Sequence, residues 1–349
     1  MGNEPIDRAL VLGAGSWGTA LAIQLARAGL SVRLWARDPE HARGMVATRR
    51  NARYLPDTIL PPEIVPIGGE EALRGASPAG LVVAAVPTAA LRGVLGRFGA
   101  RLLATPEAVL LLACKGVEPD TLNTMAEVAR QAVPGLDPSR TAALGGPSFA
   151  AEVAAGQPTA VVVAALRLAV ATAVQRAISA ERFRAYATDD LVGVELGGAF
   201  KNVIALAAGL CDGAGFGQNA RAALITRGLA EITRLAVHMG AHPATLAGLA
   251  GVGDLVLTCT GGLSRNRRVG MALGRGATLD EALAEVGQVA EGVRTTRAAH
   301  RLARREGVEM PICETMYAIL YDGLSVEDAV GRLLGRALRT ERDAGGPGA

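Results

Sequence analysis

The sequence predicts an α/β chain: a doubly wound, mostly parallel sheet followed by an all-α C-terminal domain. Two patterns carry that expectation. Short apolar runs alternate with helical stretches from residue 8 to residue 188, as in successive βαβ units, and beyond Thr188 every periodic segment has helical spacing. Length agrees, because 349 residues at ~100–200 per domain make two domains.

The elements follow in order. RALVLG at 8–13 is an apolar run ending in glycine, and residues 16–28 carry a helical pattern closed by Gly29. SVRLWA at 31–36 and GLVVAAV at 80–86 read as strands, and AVLLLAC at 108–114 as a strand buried on both faces. TAALG at 141–145, TAVVVAA at 159–165 and RFRAYAT at 182–188 are further strands. Asp189 and Asp190 suit the first turn of a long apolar helix, LVGVELGGAFKNVIALAAGL. Helices are then expected at 220–240, 242–250, 264–274, 279–286, 291–306, 311–321 and 325–338, with Thr278, Thr295 and Ser325 as capping residues. The implied domains are 1–188 and 189–340, with 341–349 a frayed tail.

Composition narrows the function. Hydrophobic residues make up 50% and aromatics 3%, so Ala, Leu and Val must fill the core. The net charge of +3 comes without a long basic block, which points away from nucleic acid or a membrane and toward a small anionic partner. Cys114, Cys211, Cys259 and Cys313 show no paired spacing, so a reducing compartment is expected. No secretory leader and no run of about 18 apolar residues are read from the chain, and a cytoplasmic location follows as the expectation. Of 36 basic residues, all but Lys115 and Lys201 are arginine. An ammonium can release its proton when desolvated whereas a guanidinium does not, so these two lysines are candidates for proton chemistry.

Gly13-Ala14-Gly15-Ser16-Trp17-Gly18 matches G-x-G-x-x-G between a strand and a helix, the context of a Rossmann-type dinucleotide fingerprint. Gly13 allows the tight turn, Gly15 lets a diphosphate approach the backbone, and Gly18 lets the helix pack on the strand. The second strand ends at Arg37 where an NAD site more often has an acid; Arg37 can hold a 2′-phosphate, so NADP is an expected cofactor alongside NAD, with Asp38 next to it. Cys114-Lys115-Gly116 follows a strand, and the Gly146-Pro147-Ser148 turn, read as opening a helix, offers N–H groups and a hydroxyl. Lys201 lies in apolar GGAFKNVIALAAG, where burial would lower its proton affinity.

Those clusters, with Gly146-Pro147-Ser148-Phe149-Ala150, Gly198-Ala199-Phe200-Lys201-Asn202, Gly251-Val252-Gly253-Asp254-Leu255 and Ser264-Arg265-Asn266-Arg267, closely resemble the bacterial NAD(P)-dependent glycerol-3-phosphate dehydrogenases from about residue 8 to residue 335. The resemblance implies Lys201 as proton acceptor or donor, and Lys115, Gly146, Ser148, Lys201, Asp254, Ser264, Arg265 and Asn266 as substrate contacts. It implies cofactor contacts at Gly13, Gly15, Ser16, Trp17, Gly18, Arg37, Lys115, Ala150, Arg265, Val289 and Glu291. It also implies a homodimer that supplies glycerol phosphate for phospholipid synthesis. A β-hydroxyacid or 6-phosphogluconate-type dehydrogenase and a non-catalytic NAD(P) sensor are the alternatives. His238 and His242 are not read as metal ligands, Glu195 is read as structural, and the Met and Tyr residues of 310–321 as core.

Overall fold

The computed structural model describes residues 6–76, 79–105, 108–287, 290–337 and 340–341. The chain divides into two compact units. One comprises residues up to Lys115 together with Met125–Leu191, and the other Gly116–Thr124 together with the chain from Val192 onward.

The first unit is built on an eight-stranded sheet. Its strands are β1 (Arg8–Leu12), β2 (Ser31–Ala36), β5 (Ile64–Gly68), β6 (Leu81–Ala84), β7 (Val109–Leu112), β8 (Thr141–Gly145), β9 (Thr159–Ala165) and β10 (Phe183–Thr188), with the short pair β3 (Arg50–Asn51) and β4 (Leu55–Ile59) beside it. The spatial order is β10-β9-β8-β7-β6-β1-β2-β5, and among these neighbours only β8 and β9 run antiparallel. The chain steps outward from β1 through β2 to β5, then returns to β6 on the other side of β1. The β1/β6 seam is therefore the topological switch point, whose crevice at the strand C-termini is where open α/β sheets bind ligands. Helices α1 (Ser16–Arg27), α2 (Pro39–Thr48), α3 (Gly69–Arg74), α4 (Thr88–Leu102), α5 (Met125–Ala132), α6 (Ala150–Ala155) and α7 (Leu168–Ile178) connect the strands. The central strands are buried on both faces, with Val11, Leu12, Leu34, Val83 and Leu110 almost fully enclosed, which is why they read as apolar runs without alternation.

The second unit is helical: α8 (Leu191–Gly213), α9 (Gly217–His238), α10 (Pro243–Ala247), a π-helical turn at Leu249–Gly253, α11 (Asp254–Thr260), α12 (Arg265–Gly274), α13 (Leu279–Val286), α14 (Glu291–Glu306), α15 (Pro311–Tyr321) and α16 (Val326–Leu334). Its core gathers Phe200, Val203, Leu206, Leu235, Leu255, Val269 and Leu302, joined by Val117 and Leu122 from the 116–124 segment.

Several expectations need correction. Residues 50–68 form strands that their Pro and charged residues hid. Asp189 and Asp190 precede the long helix, whose first turn holds no acid. Thr295 is inside α14, its hydroxyl donating back to the Glu291 carbonyl, whereas Thr278 and Ser325 do cap their helices. The helix expected at 242–250 breaks into α10 and the π turn, and the one expected at 325–338 ends at Leu334, with Leu338 outside the described residues. α8 is long and apolar enough to cross a membrane by composition, contrary to the reading of the bare sequence, but 94% of its apolar window is buried inside the protein, as befits a core helix. Of the proposed tail, 342–349 lies outside the described residues.

Candidate active site

In the first unit the glycine-rich loop leaves β1 at the switch point. A Cβ on Gly13 (φ 111°) would lie 2.7 Å from the Ala85 carbonyl beyond β6, and one on Gly18 would lie 1.8 Å from the Gly13 carbonyl, so both glycines are imposed by backbone packing. Gly15 differs. A Cβ there would meet nothing within 4 Å, so the space its missing side chain leaves belongs to no protein atom. Gly15 is also the N-cap of α1 and provides no side-chain cap, leaving this helix start suited to an anion. These features fit a dinucleotide diphosphate. The side chains of two residues expected as cofactor contacts anchor the turn: the Trp17 indole Nε1 donates to the Ala113 carbonyl at 3.1 Å, and Ser16 Oγ to the Tyr54 carbonyl at 3.2 Å. Their backbone amides remain the groups by which they can serve a phosphate.

Arg37 is exposed just beyond β2, while Asp38 is spent as the N-cap of α2, accepting from the Glu40 amide at 3.0 Å. The Asp38 carboxylate is thereby engaged in capping the helix, in keeping with the expectation for Arg37. At the far end of β7, Lys115 Nζ donates to the Gly146 carbonyl at 3.1 Å, and Ser148 Oγ donates to the same oxygen at 3.0 Å. The turn does not itself open the helix as expected: Phe149 is the N-cap and Ala150 the first residue of α6.

In the second unit, the Lys201 ammonium bonds the Asp254 carboxylate, and both are buried, with Asp254 only 1% exposed. Burial alone was the sequence argument for a weakened ammonium. The carboxylate opposes it, because a neighbouring negative charge favours the protonated amine. Breaking a buried ion pair by removing one partner typically costs ~3–5 kcal/mol. Two backbone features set this pair. A Cβ on Gly197 would lie 2.7 Å from the Ala250 carbonyl, so the glycine brings α8 against the π turn that delivers Asp254 to the start of α11. Thr258 Oγ then donates to the Asp254 carbonyl at 2.6 Å, within the same helix. The neighbouring Cys259 thiol is pushed up to about 12 by burial, so it stays protonated beside the pair.

The Ser264-Arg265-Asn266 triplet is divided in its roles. Ser264 Oγ caps α12 by accepting from the Arg267 amide at 3.3 Å. Asn266 donates to Asn202 Oδ1 at 2.8 Å and accepts from the Gly292 amide at 2.9 Å, tying α12 to α8 and to the first turn of α14. Arg265 is exposed, although the protein crowding its head lowers its proton affinity while Glu291 pulls the other way. It remains charged at any working pH. Val289 lies outside the described residues.

With this geometry in place, the comparisons are decisive. The model described as NAD-dependent glycerol-3-phosphate dehydrogenase N-terminus matches residues 8–171, and its C-terminus counterpart matches residues 190–331. The chain belongs to the NAD-dependent glycerol-3-phosphate dehydrogenase family. A Citrifermentans bemidjiense protein named glycerol-3-phosphate dehydrogenase (NAD(P)+) is 52% identical over 336 residues, covering 96% of this chain and 99% of that one. One from Anaeromyxobacter dehalogenans is 51% identical over 335 residues, with 96% and 99% covered. The solved glycerol-3-phosphate dehydrogenase of Coxiella burnetii superposes with a TM-score of 0.87 at 41% identity, over 95% of this chain and 99% of that one. Membership of this family sets aside the β-hydroxyacid and 6-phosphogluconate alternatives.

Sequence reading missed three residues on which the glycerol-3-phosphate dehydrogenase scaffold leans here. Asn202 holds Asn266. Asp212, near the end of α8, accepts from Arg267 Nε at 3.0 Å and Nη2 at 2.6 Å and from Arg221 Nη1 at 3.0 Å, fastening α9 and α12 to α8. Asn51 is fully buried against the glycine loop. The signal for Asp212 was an acid near the end of a mostly apolar helix; Asn202 stood in the sequence only as the end of the Gly198–Asn202 cluster, and nothing there marked Asn51. His242 caps α10 through Nδ1, and His238 Nε2 lies 3.5 Å from Glu306.

Proposed function

We propose that this protein interconverts dihydroxyacetone phosphate and sn-glycerol 3-phosphate with NAD(P), in the cytoplasm and as a homodimer, supplying glycerol phosphate for phospholipid synthesis. The observation that carries the reading is the buried Lys201–Asp254 pair, set on the scaffold that also presents Arg265. A dinucleotide held at the glycine-rich loop of Gly13, Gly15 and Gly18 would supply or take the hydride at the central carbon of the substrate. In the reducing direction negative charge grows on the carbonyl oxygen; Lys201 stabilises it and then delivers the proton, so hydride and proton together make the alcohol. Acid–base catalysis of this kind is typically worth ~10²–10⁴ in rate. Asp254 holds the ammonium in place and favours its charged form before transfer. Arg265 provides a bidentate cation for the phosphate, fixing the reacting carbon by binding energy from the far end of the substrate. On this reading Lys115, Gly146, Ser148 and Ala150 in the first unit are contacts to substrate or cofactor, Gly13, Gly15, Ser16, Trp17 and Gly18 are contacts to the diphosphate, and Glu291 in the second unit is a cofactor contact.

The test is the fall in 340-nm absorbance of NADH and NADPH with dihydroxyacetone phosphate, run on the native chain and on Lys201→Arg. Oxidation of either cofactor is expected, with turnover reduced at least ~100-fold in the variant, whose guanidinium keeps the charge but does not release the proton. Cofactor binding without oxidation would make the protein a sensor and sink the proposal; near-normal turnover of Lys201→Arg would remove Lys201 from the proton step.

A further inference from the structure

The hairpin residues that sequence reading passed over make a second set of contacts to the glycine loop. Asn51, on β3, is 0% exposed, and its carboxamide is bonded on both sides. Nδ2 donates to the Ala14 carbonyl at 3.0 Å and to Thr19 Oγ1 at 2.7 Å. A backbone carbonyl only accepts, so the nitrogen must face Ala14, which leaves Oδ1 for His41 Nε2 at 2.9 Å. Three residues later in the chain, Tyr54 supplies the carbonyl that receives Ser16 Oγ.

The Ala14–Gly15 peptide turns about ψ of Ala14 and φ of Gly15, and on the glycine side little resists its rotation. In a trans peptide the carbonyl and the following N–H point in opposite directions. Drawing the Ala14 oxygen onto the buried Asn51 amide therefore turns the Gly15 N–H away from that amide, at a residue where a Cβ would meet no protein atom within 4 Å. We propose that Asn51 is a positioning residue for dinucleotide binding: it locks the Ala14–Gly15 peptide in the orientation that presents the Gly15 amide to a diphosphate, with His41 holding the carboxamide in register. The inference rests on the dinucleotide reading above and concerns affinity for the diphosphate, not chemistry. His41 belongs to α2, which begins just after Arg37 and Asp38, so the lock also joins the loop to the helix beside the ribose end.

The test is ligand titration by intrinsic fluorescence or calorimetry, well below each variant's melting temperature, with ADP-ribose, which carries the diphosphate, and adenosine 2′-monophosphate, which does not. Asn51→Leu keeps the volume and removes the donors. It should weaken ADP-ribose, NADH and NADPH about tenfold, the loss expected for one charge-assisted bond, while adenosine 2′-monophosphate stays within about twofold. A folded Asn51→Leu that binds ADP-ribose as the native chain does, or weakens both ligands equally, overturns the proposal. Should Asn51→Leu not fold, the partly buried His41 decides: His41→Gln retains a donor to Oδ1 and should bind like the native chain, whereas His41→Leu should lose about threefold for ADP-ribose. Equal affinities in that pair overturn the lock. Native protein that binds neither NADH nor NADPH would instead overturn the dinucleotide reading itself.

Discussion

Replacing Gly270 by alanine sets two effects of opposite sign against each other. Alanine is the better helix former by ~1 kcal/mol, so propensity alone predicts a more stable protein. The packing says otherwise. A Cβ at Gly270 would lie 2.0 Å from the Leu206 carbonyl oxygen and 2.8 Å from the Leu210 nitrogen, both backbone atoms of α8 that no rotamer change can move. Reaching an ordinary contact requires α8 and α12 to part by more than 1 Å, and the seam cannot give elsewhere. Cβ positions on Gly209, Gly213 and Gly274 likewise fall 2.0–2.3 Å from facing carbonyls. Overpacking costs ~1–3 kcal/mol or more, and a contact this short with backbone belongs at the upper end, so against the ~1 kcal/mol gained in propensity the net change should be a loss of about 2 kcal/mol and about 5 °C in melting temperature. α12 also carries Arg265 and Asn266, and a displacement near 1 Å is enough to cost up to ~10²-fold in rate. The assay pairs thermal melts with kcat/KM, and uses Gly331→Ala in α16 as the control, because a Cβ there would meet nothing within 4 Å. Gly331→Ala should stabilise by ~0.5–1 kcal/mol with unchanged activity. If Gly270→Ala melts higher than the native chain, as the control should, the close seam does not govern the site.

Three further outcomes follow from the same structure. Glu231 is buried, accepts from the Ile312 amide at 2.7 Å and the Cys313 amide at 3.3 Å, and has its pKa raised by burial from 4.5 to about 8, despite those bonds and Arg234, with Glu314 adding to the rise. The folded state therefore binds this proton more tightly than the unfolded chain, so its contribution is whole below pH 4.5, declines as pH climbs to about 8, and is gone above it. At ~1.4 kcal/mol per tenfold in proton affinity the ceiling is about 5 kcal/mol; Glu231→Gln should flatten the melting temperature between pH 5 and pH 8, and parallel profiles would contradict the assignment. Arg37→Asp should raise the KM ratio of NADPH to NADH at least tenfold, while an unchanged ratio would show that Arg37 does not choose the cofactor. Arg265→Ala should raise KM for dihydroxyacetone phosphate ~100-fold and KM for the cofactor far less; equal increases would argue against a phosphate clamp.

Periodicity and glycine placement made the alternating strands and the helical second half readable, because buried parallel strands are apolar runs and the core helices carry wide apolar faces. The β3–β5 region was not readable, since Pro56, Asp57 and Pro66 give edge strands the composition of a loop. Thr295 looked like a cap because threonine before a helical run often is one, but its hydroxyl finds the i−4 carbonyl instead. At the site, lysine scarcity singled out Lys201 and Lys115, and the resemblance supplied Asp254. That Asp254 would reach the ammonium depends on the π turn, a backbone event with no residue signature beyond small side chains. The asparagine links were invisible because an amide's value lies in what it meets across the fold, not in its neighbours along the chain.

The nine residues Gly116–Thr124 belong to the helical unit, although they are translated well before it. Val117 and Leu122 enter its core, and Pro119 receives Arg301 Nη1 at 2.6 Å. The two units are consequently not separable parcels of gene. During biosynthesis this short excursion must wait on the ribosome for partners encoded some eighty or more residues later. A chimera that exchanges the C-terminal half with a relative has to carry 116–124 with it, or leave an apolar gap in the new core.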